Sequence, residues 1–263
     1  MPLDLWLIDA FTDSPFSGNP AGVCLLAGPR PDQWMQALAR EMNQAETAFL
    51  LRTGDGYDLR WFTPRLEVDL CGHATLASAH YLWESRTLKA TETASFGTRS
   101  GVLTARKKEG WITLDFPATR AELCEPPPYL LDAFKSPEAT VLRSRFDYML
   151  VLTDPAKLRT LKPDFRLLSG VETRGVIITA PSDLPEVDFI SRFFAPSAGV
   201  NEDAVTGSAH CTLAPYWAER LGRKTLVGYQ ASARGGTVRV EDAGERVILG
   251  GKAVTLIKGK LAG

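Results

Sequence analysis

Apolar and polar positions alternate at both ends of the chain. Leu3, Leu5 and Leu7 alternate with Asp4 and Trp6, a period of two that predicts a strand leading into Asp9-Ala10-Phe11. Ser17-Gly18-Asn19-Pro20 forces a turn, and residues 22–27 read as the return strand. Residues 31–42 have helical spacing at Trp34, Leu38 and Met42, with Pro31 near the start, where its missing N–H is harmless. Residues 46–51 are apolar after the first two, which places Glu46 at the mouth of a buried strand. A strand at 57–62 follows, then a hairpin of 101–105 and 111–116 around Lys107-Lys108-Glu109-Gly110. In the second half, strands are expected at 148–152, 175–179 and 187–194, and short helices at 130–134 and 156–161. Alternation through 237–241, 246–249 and 253–258 predicts a closing meander.

Two stretches break this pattern in the same way. Residues 71–83 and 205–218 carry no Asp, Glu, Lys or Arg, yet their Ala, Leu, Tyr and Trp content reads as helix. A helix without a polar stripe is surrounded by protein. The two also share a register: an offset of 135 residues (207 minus 72) lays Gly72 on Gly207, Ala74 on Ala209, Tyr81 on Tyr216 and Glu84 on Glu219. The same offset lays Arg99 and Gly101 on Arg234 and Gly236, and Ile112-x-Leu114 on Val247-x-Leu249. A gap-free register across a helix and its following strands argues for internal duplication.

The expected class is therefore α+β, with two pseudo-symmetric domains, each a rolled, mostly antiparallel sheet around a buried central helix. Proline gathers between Pro117 and Pro128, so the boundary is drawn as residues 1–118 and 119–263, with the last strand free to return to the first domain. The second central helix contains Pro215, which removes one backbone donor. Arg234-Gly235-Gly236 reads as a strand with a bulge.

Composition narrows the partners. A net charge of -1 gives no footprint for nucleic acid or for an acidic membrane. Cys24, Cys71, Cys124 and Cys211 have no CxxC spacing, which points to a reducing, cytoplasmic setting rather than a disulfide framework. No basic leader and no apolar run of membrane length is present. Gly-rich phosphate loops are missing, so no cofactor is expected. No His-x3-His pair exists and His80 lies two turns from His73, so no metal is assigned.

The candidate chemistry sits at the two helix starts. Unpaired N–H groups and the positive end of the dipole at Gly72 and Gly207 suit an anion, and two such half-sites suit a small carboxylate. Burial would raise the pKa of Glu46 towards that of a general acid or base; the structural alternative is a strand-end glutamate facing water. His73, at a helix start, is expected neutral because the dipole disfavours its charge. Asp203 either caps a helix or orients a proton carrier, and Ser208 and Thr206 are caps as well as ligands by type. Cys71 is either an activated thiolate at a helix start or a buried, inert thiol.

Asp9-Ala10-Phe11 with Gly18-Asn19-Pro20, Glu46-Thr47-Ala48-Phe49, Cys71-Gly72-His73-Ala74-Thr75 and the run from Glu202 to His210 together resemble the phenazine-biosynthesis PhzF-like family. The resemblance covers nearly the whole chain. It implies the diaminopimelate-epimerase fold, commonly as a homodimer, and a cofactor-independent isomerisation in which one glutamate moves a proton between carbons of a carboxylated substrate. By motif, Glu46 would be that acid/base, His73, Asp203 and Ser208 would complete the proton-handling site, and Asn19 with the backbone at Gly72 and Gly207 would hold the substrate. Ala204 stands where that family usually has proline. Two rival readings are a racemase or epimerase assisted by Cys71 and a non-catalytic binding or scaffold protein of the same fold.

Overall fold

Period-two segments become strands and the two uncharged segments become central helices in the computed structural model, which describes residues 2–262. The chain separates into two compact units: Met1–Phe116 with Leu249–Gly263, and Pro117–Ile248.

The first unit begins with β1 (Leu3–Ala10), β2 (Asn19–Leu26), α1 (Asp32–Met42), β3 (Glu46–Thr53), β4 (Gly56–Phe62) and the short β5 (Glu67–Val68). Its central helix α2 (Gly72–Glu84) follows, then β6 (Ala94–Thr98), β7 (Gly101–Lys108) and β8 (Trp111–Pro117). The closing strand of the chain, Ala253–Leu261, runs antiparallel to β1, and β1 is antiparallel to β2. β2 and β3 are parallel, joined through α1, and β4 is antiparallel to β3. β6 adds to β4 in parallel, and β7 and β8 continue as antiparallel neighbours.

α2 packs on β1, β2, β3 and the closing strand. Ten of its thirteen residues, from His73 to Trp83, are buried, as the missing polar stripe requires. Two of its polar side chains are satisfied inside the helix: the Ser78 hydroxyl donates to the Ala74 carbonyl at 2.7 Å and the Thr75 hydroxyl to the Cys71 carbonyl at 2.5 Å. On the other side of β3, α1 presents Met35, Leu38 and Ala39 to Cys24, Leu26, Phe49 and Phe62.

β1 departs from the simple alternation. Leu5 and Leu7 are only partly covered, whereas Trp6 and Ile8 are buried, and the register with the closing strand shifts between Leu7 and Ile8. The reason is tertiary. Trp6 meets the edge of the Tyr81 ring of α2 at 4.7 Å, and the Tyr81 hydroxyl donates to Asp4.

The second unit opens with β9 (Glu122–Leu123), α3 (Leu130–Phe134), β10 (Thr140–Arg143), β11 (Asp147–Val151), α4 (Pro155–Thr160) and α5 (Phe165–Leu168). β12 (Gly175–Pro181), β13 (Phe189–Ala195) and β14 (Val200–Asp203) precede its central helix α6 (Gly207–Leu221). β15 (Thr225–Gln230), β16 (Gly236–Asp242) and the first half of β17 (Arg246–Gly251) complete it, the strand passing into the first unit at Leu249. β11 and β12 are parallel, as are β13 and β15, while the β9–β10, β10–β11, β12–β13, β13–β14 and β15–β16 pairs are antiparallel. α3, α4 and α5 contribute Leu130, Phe134, Leu158 and Leu168 to a core with Leu150, Ile178, Ile190 and Phe194. α6 packs on β15 and β16, and eleven of its fifteen residues are buried.

Arg234 and Gly235 lie in the turn between β15 and β16 rather than in a bulged strand, and Gly235 takes a φ of +65°. That left-handed backbone belongs to a tight turn, which local alternation could not distinguish from a bulge. Among the described residues, no helix is long and apolar enough to cross a membrane.

Candidate active site

In the first unit, three elements deliver four side chains to one point. Asn19 opens β2 opposite Ala10 of β1, and Glu46 opens β3 opposite Ala21 of β2, so parallel pairing brings the two strand starts side by side. Cys71 is the N-cap residue of α2 and makes no side-chain capping bond, and His73 is the second residue of the helix.

Asn19 is fixed by the loop before it. The buried Asp9 carboxylate accepts the Phe16 N–H at 2.9 Å, and the Thr12 and Ser17 hydroxyls share a 2.6 Å bond. Gly18 has a φ of +68°, and a Cβ there would lie 2.2 Å from the Ala10 carbonyl oxygen, so only glycine fits. This accounts for the Gly18-Asn19-Pro20 motif. The part of Asp9 in the loop was not legible from its strand-end position.

The Asn19 side-chain amide donates to His73 Nδ1 at 3.1 Å, and Cys71 Sγ lies 3.5 Å from the same nitrogen. His73 Nε2 lies 3.2 Å from Glu46 Oε2. Complete burial pushes the imidazole pKa down to about 3, so the ring is neutral at physiological pH. Burial, rather than the helix dipole, is the cause. With Nδ1 accepting from Asn19, the ring hydrogen sits on Nε2, on the side of Glu46. The Glu46 side chain keeps 19 % exposure against 5 % for His73, which leaves a carboxylate partly open to an incoming molecule beside a neutral imidazole, whose Nε2 makes no hydrogen bond among the described residues.

Glu46, Cys71 and His73 each also offer one metal-ligating atom, and these three atoms lie within 4.8 Å of one another. A search of the sequence for paired histidines misses this set, because its members come from a strand start and a helix start.

In the second unit, Asp203 ends β14 opposite Phe193, and its carboxylate accepts the Thr206 hydroxyl at 2.6 Å. Thr206 is the N-cap residue of α6, its side chain makes no capping bond, and Gly207 and the half-buried Ser208 follow as the first two helical residues. The buried Gln230 holds this loop. Its amide accepts the Thr206 N–H at 2.8 Å, donates to the Asp203 carbonyl at 2.8 Å and reaches the Thr206 hydroxyl at 3.2 Å. Ser232 adds a 2.7 Å bond to the Ala204 carbonyl. Nothing in the local pattern marked Gln230, which lies 24 residues beyond Thr206.

Two further groups are inert. His210 Nδ1 donates to the Thr206 carbonyl at 2.8 Å, and burial holds its pKa down at about 4. The Cys211 thiol is fully buried and pushed up to about 12, outside the range of a reactive thiolate.

This geometry sits on a chain whose residues 8–259 match the model of the phenazine biosynthesis-like protein family, PhzC-PhzF. The chain belongs to that family. Similar members include an uncharacterized isomerase of Halalkalibacterium halodurans, 50 % identical over 99 % of both chains. A crystal structure of a phenazine biosynthesis protein of the PhzF family from Enterococcus faecalis superposes with a TM-score of 0.94 at 42 % identity, over 99 % of both chains. A hydroxyproline epimerase from Agrobacterium vitis shares the fold alone, with a TM-score of 0.65 at 12 % identity over 99 % of this chain and 92 % of the epimerase. The PhzF-like chain thus has the α+β, diaminopimelate-epimerase-like architecture that the resemblance implied.

Proposed function

We propose that this protein is a cofactor-independent isomerase that moves a proton between carbons of a small carboxylate, with Glu46 as the acid and base. The observation that carries this reading is the half-shielded Glu46 carboxylate 3.2 Å from a neutral His73 whose other ring nitrogen is fixed by Asn19. A carboxylate takes a proton from a carbon next to a carbonyl or carboxylate group, leaving an enolate-like intermediate. The resulting carboxylic acid returns the same proton to a second carbon. Because His73 is neutral, it stands 3.2 Å from the Glu46 carboxylate without trapping it in an ion pair. The helix-start amides at Gly72 supply a fixed positive end for the substrate carboxylate or the developing negative charge. The resemblance also assigns Asp203 and Ser208 to proton handling. The name of the Halalkalibacterium relative, an isomerase, agrees with this class of reaction.

The test is proton exchange. A panel of hydroxylated and amino carboxylates incubated in heavy water should show deuterium uptake at one carbon, read by NMR. Glu46→Gln should abolish it while ligand binding persists, and exchange at an unchanged rate would dismiss Glu46 as the acid/base.

A second reading, a racemase or epimerase assisted by Cys71, is favoured by one observation: the Cys71 thiol lies 3.5 Å from His73 Nδ1, within reach of a base. Full activity in Cys71→Ser would remove it.

A further inference from the structure

We propose that Glu46, Cys71 and His73 form a binding site for a divalent cation of the zinc class, and that occupancy holds the site in a non-reacting state. Carboxylate oxygen, thiol sulfur and imidazole nitrogen are the donor set of zinc and its first-row neighbours, whereas magnesium and calcium select oxygen alone. With zinc–ligand bonds of about 2.0 to 2.3 Å, neighbouring donors of a tetrahedral ion stand about 3.3 to 3.8 Å apart. Here Glu46 Oε2 lies 3.2 Å from His73 Nε2, Cys71 Sγ lies 3.5 Å from the other ring nitrogen, Nδ1, and a set of one donor atom from each residue falls within 4.8 Å. Collecting them around one ion asks for movements of about 1 Å, which side-chain rotation at Glu46 and Cys71 supplies.

The surroundings also suit a metal. His73 is anchored in the first turn of α2, and its Nδ1 meets the Asn19 amide, the kind of outer partner that orients ligating histidines. Binding through Nε2 moves the ring hydrogen to Nδ1, and Asn19 then presents its carbonyl to that hydrogen. The Cys71 thiol proton leaves to solvent as the sulfur–metal bond forms. Three protein donors leave a fourth position for water or a substrate carboxylate. The bound ion would occupy the lone pairs of Glu46 that proton transfer needs. Binding of the ion rests on donor geometry alone and stands whether or not the isomerase reading does, whereas the non-reacting state rests on that reading of Glu46.

The experiment adds cobalt(II) to the reduced, chelator-washed full chain. The expected result is a thiolate-to-cobalt charge-transfer band saturating at one ion per chain, displaced by zinc and unaffected by magnesium or calcium. Cys71→Ser should lose the band, and Glu46→Gln should weaken cobalt binding at least about tenfold, the scale on which even outer partners act. Cys124→Ser, which removes the one half-buried thiol, should change nothing. Absence of the band, its survival in Cys71→Ser or its loss in Cys124→Ser overturns the proposal. If Cys71→Ser does not fold, as read by circular dichroism, an unchanged cobalt affinity in Glu46→Gln overturns it alone.

Discussion

Gln230→Leu isolates what holds the loop before α6. Leucine nearly preserves the volume, so the change removes hydrogen bonds without opening a large cavity. Three contacts go: the acceptor for the Thr206 N–H at 2.8 Å, the donor to the Asp203 carbonyl at 2.8 Å and the donor to the Thr206 hydroxyl at 3.2 Å. Thr206 is 7 % exposed, so water replaces its lost partner poorly, and an orphaned buried N–H costs about 1–3 kcal/mol. Asp203 is half-buried and the Thr206 hydroxyl keeps its bond to the Asp203 carboxylate, so these two together add about 1 kcal/mol. The expected loss is about 2–4 kcal/mol. Trp217 is the only tryptophan between residues 117 and 248, so a 5-fluorotryptophan resonance assigned to it reports unfolding of the second unit alone. In urea the midpoint of that resonance should fall while the slope of the transition stays fixed. Gln230→Glu, which keeps an acceptor for the Thr206 N–H but loses the donor, should fall between the two. A Gln230→Leu loss below about 1 kcal/mol would refute the argument, because the loop would then be held by something other than this amide.

Two other perturbations follow from burial and packing. Burial holds the folded pKa of His210 down at about 4, against 6.5 for an unperturbed imidazole. The unfolded chain therefore takes up the proton first, and stability falls as pH drops through this window, by about 3 kcal/mol in all. The difference between wild type and His210→Asn in urea midpoints from pH 7 to pH 4 should show this slope; parallel curves would remove His210 as its source. A Cβ on Gly251 would lie 2.5 Å from the Phe11 ring and 2.6 Å from the Leu76 side chain, both buried, so Gly251→Ala should destabilise the first unit by about 1–3 kcal/mol. Gly28→Ala meets nothing within 4 Å and should stay within about 0.5 kcal/mol of wild type when the two glycine variants and wild type are compared by urea unfolding.

The sequence by itself determined the two central helices and the fold class. A helical run with no Asp, Glu, Lys or Arg has no face to give to water, and composition alone is enough to bury residues 73–83. It also put Glu46 at a strand start, because an apolar run following one acid and one threonine has one readable beginning. Tertiary structure decided which residues meet. Trp6 rather than Leu5 faces the core because Tyr81, 75 residues on (81 minus 6), receives it. His73 faces both Asn19, 54 residues away, and Glu46 because β2 and β3 pair in parallel beneath α2. Gln230 reaches Thr206 from the far end of β15. Local periodicity records which face of an element is apolar, but a polar contact between distant elements leaves no periodic trace, so only the folded chain reveals it.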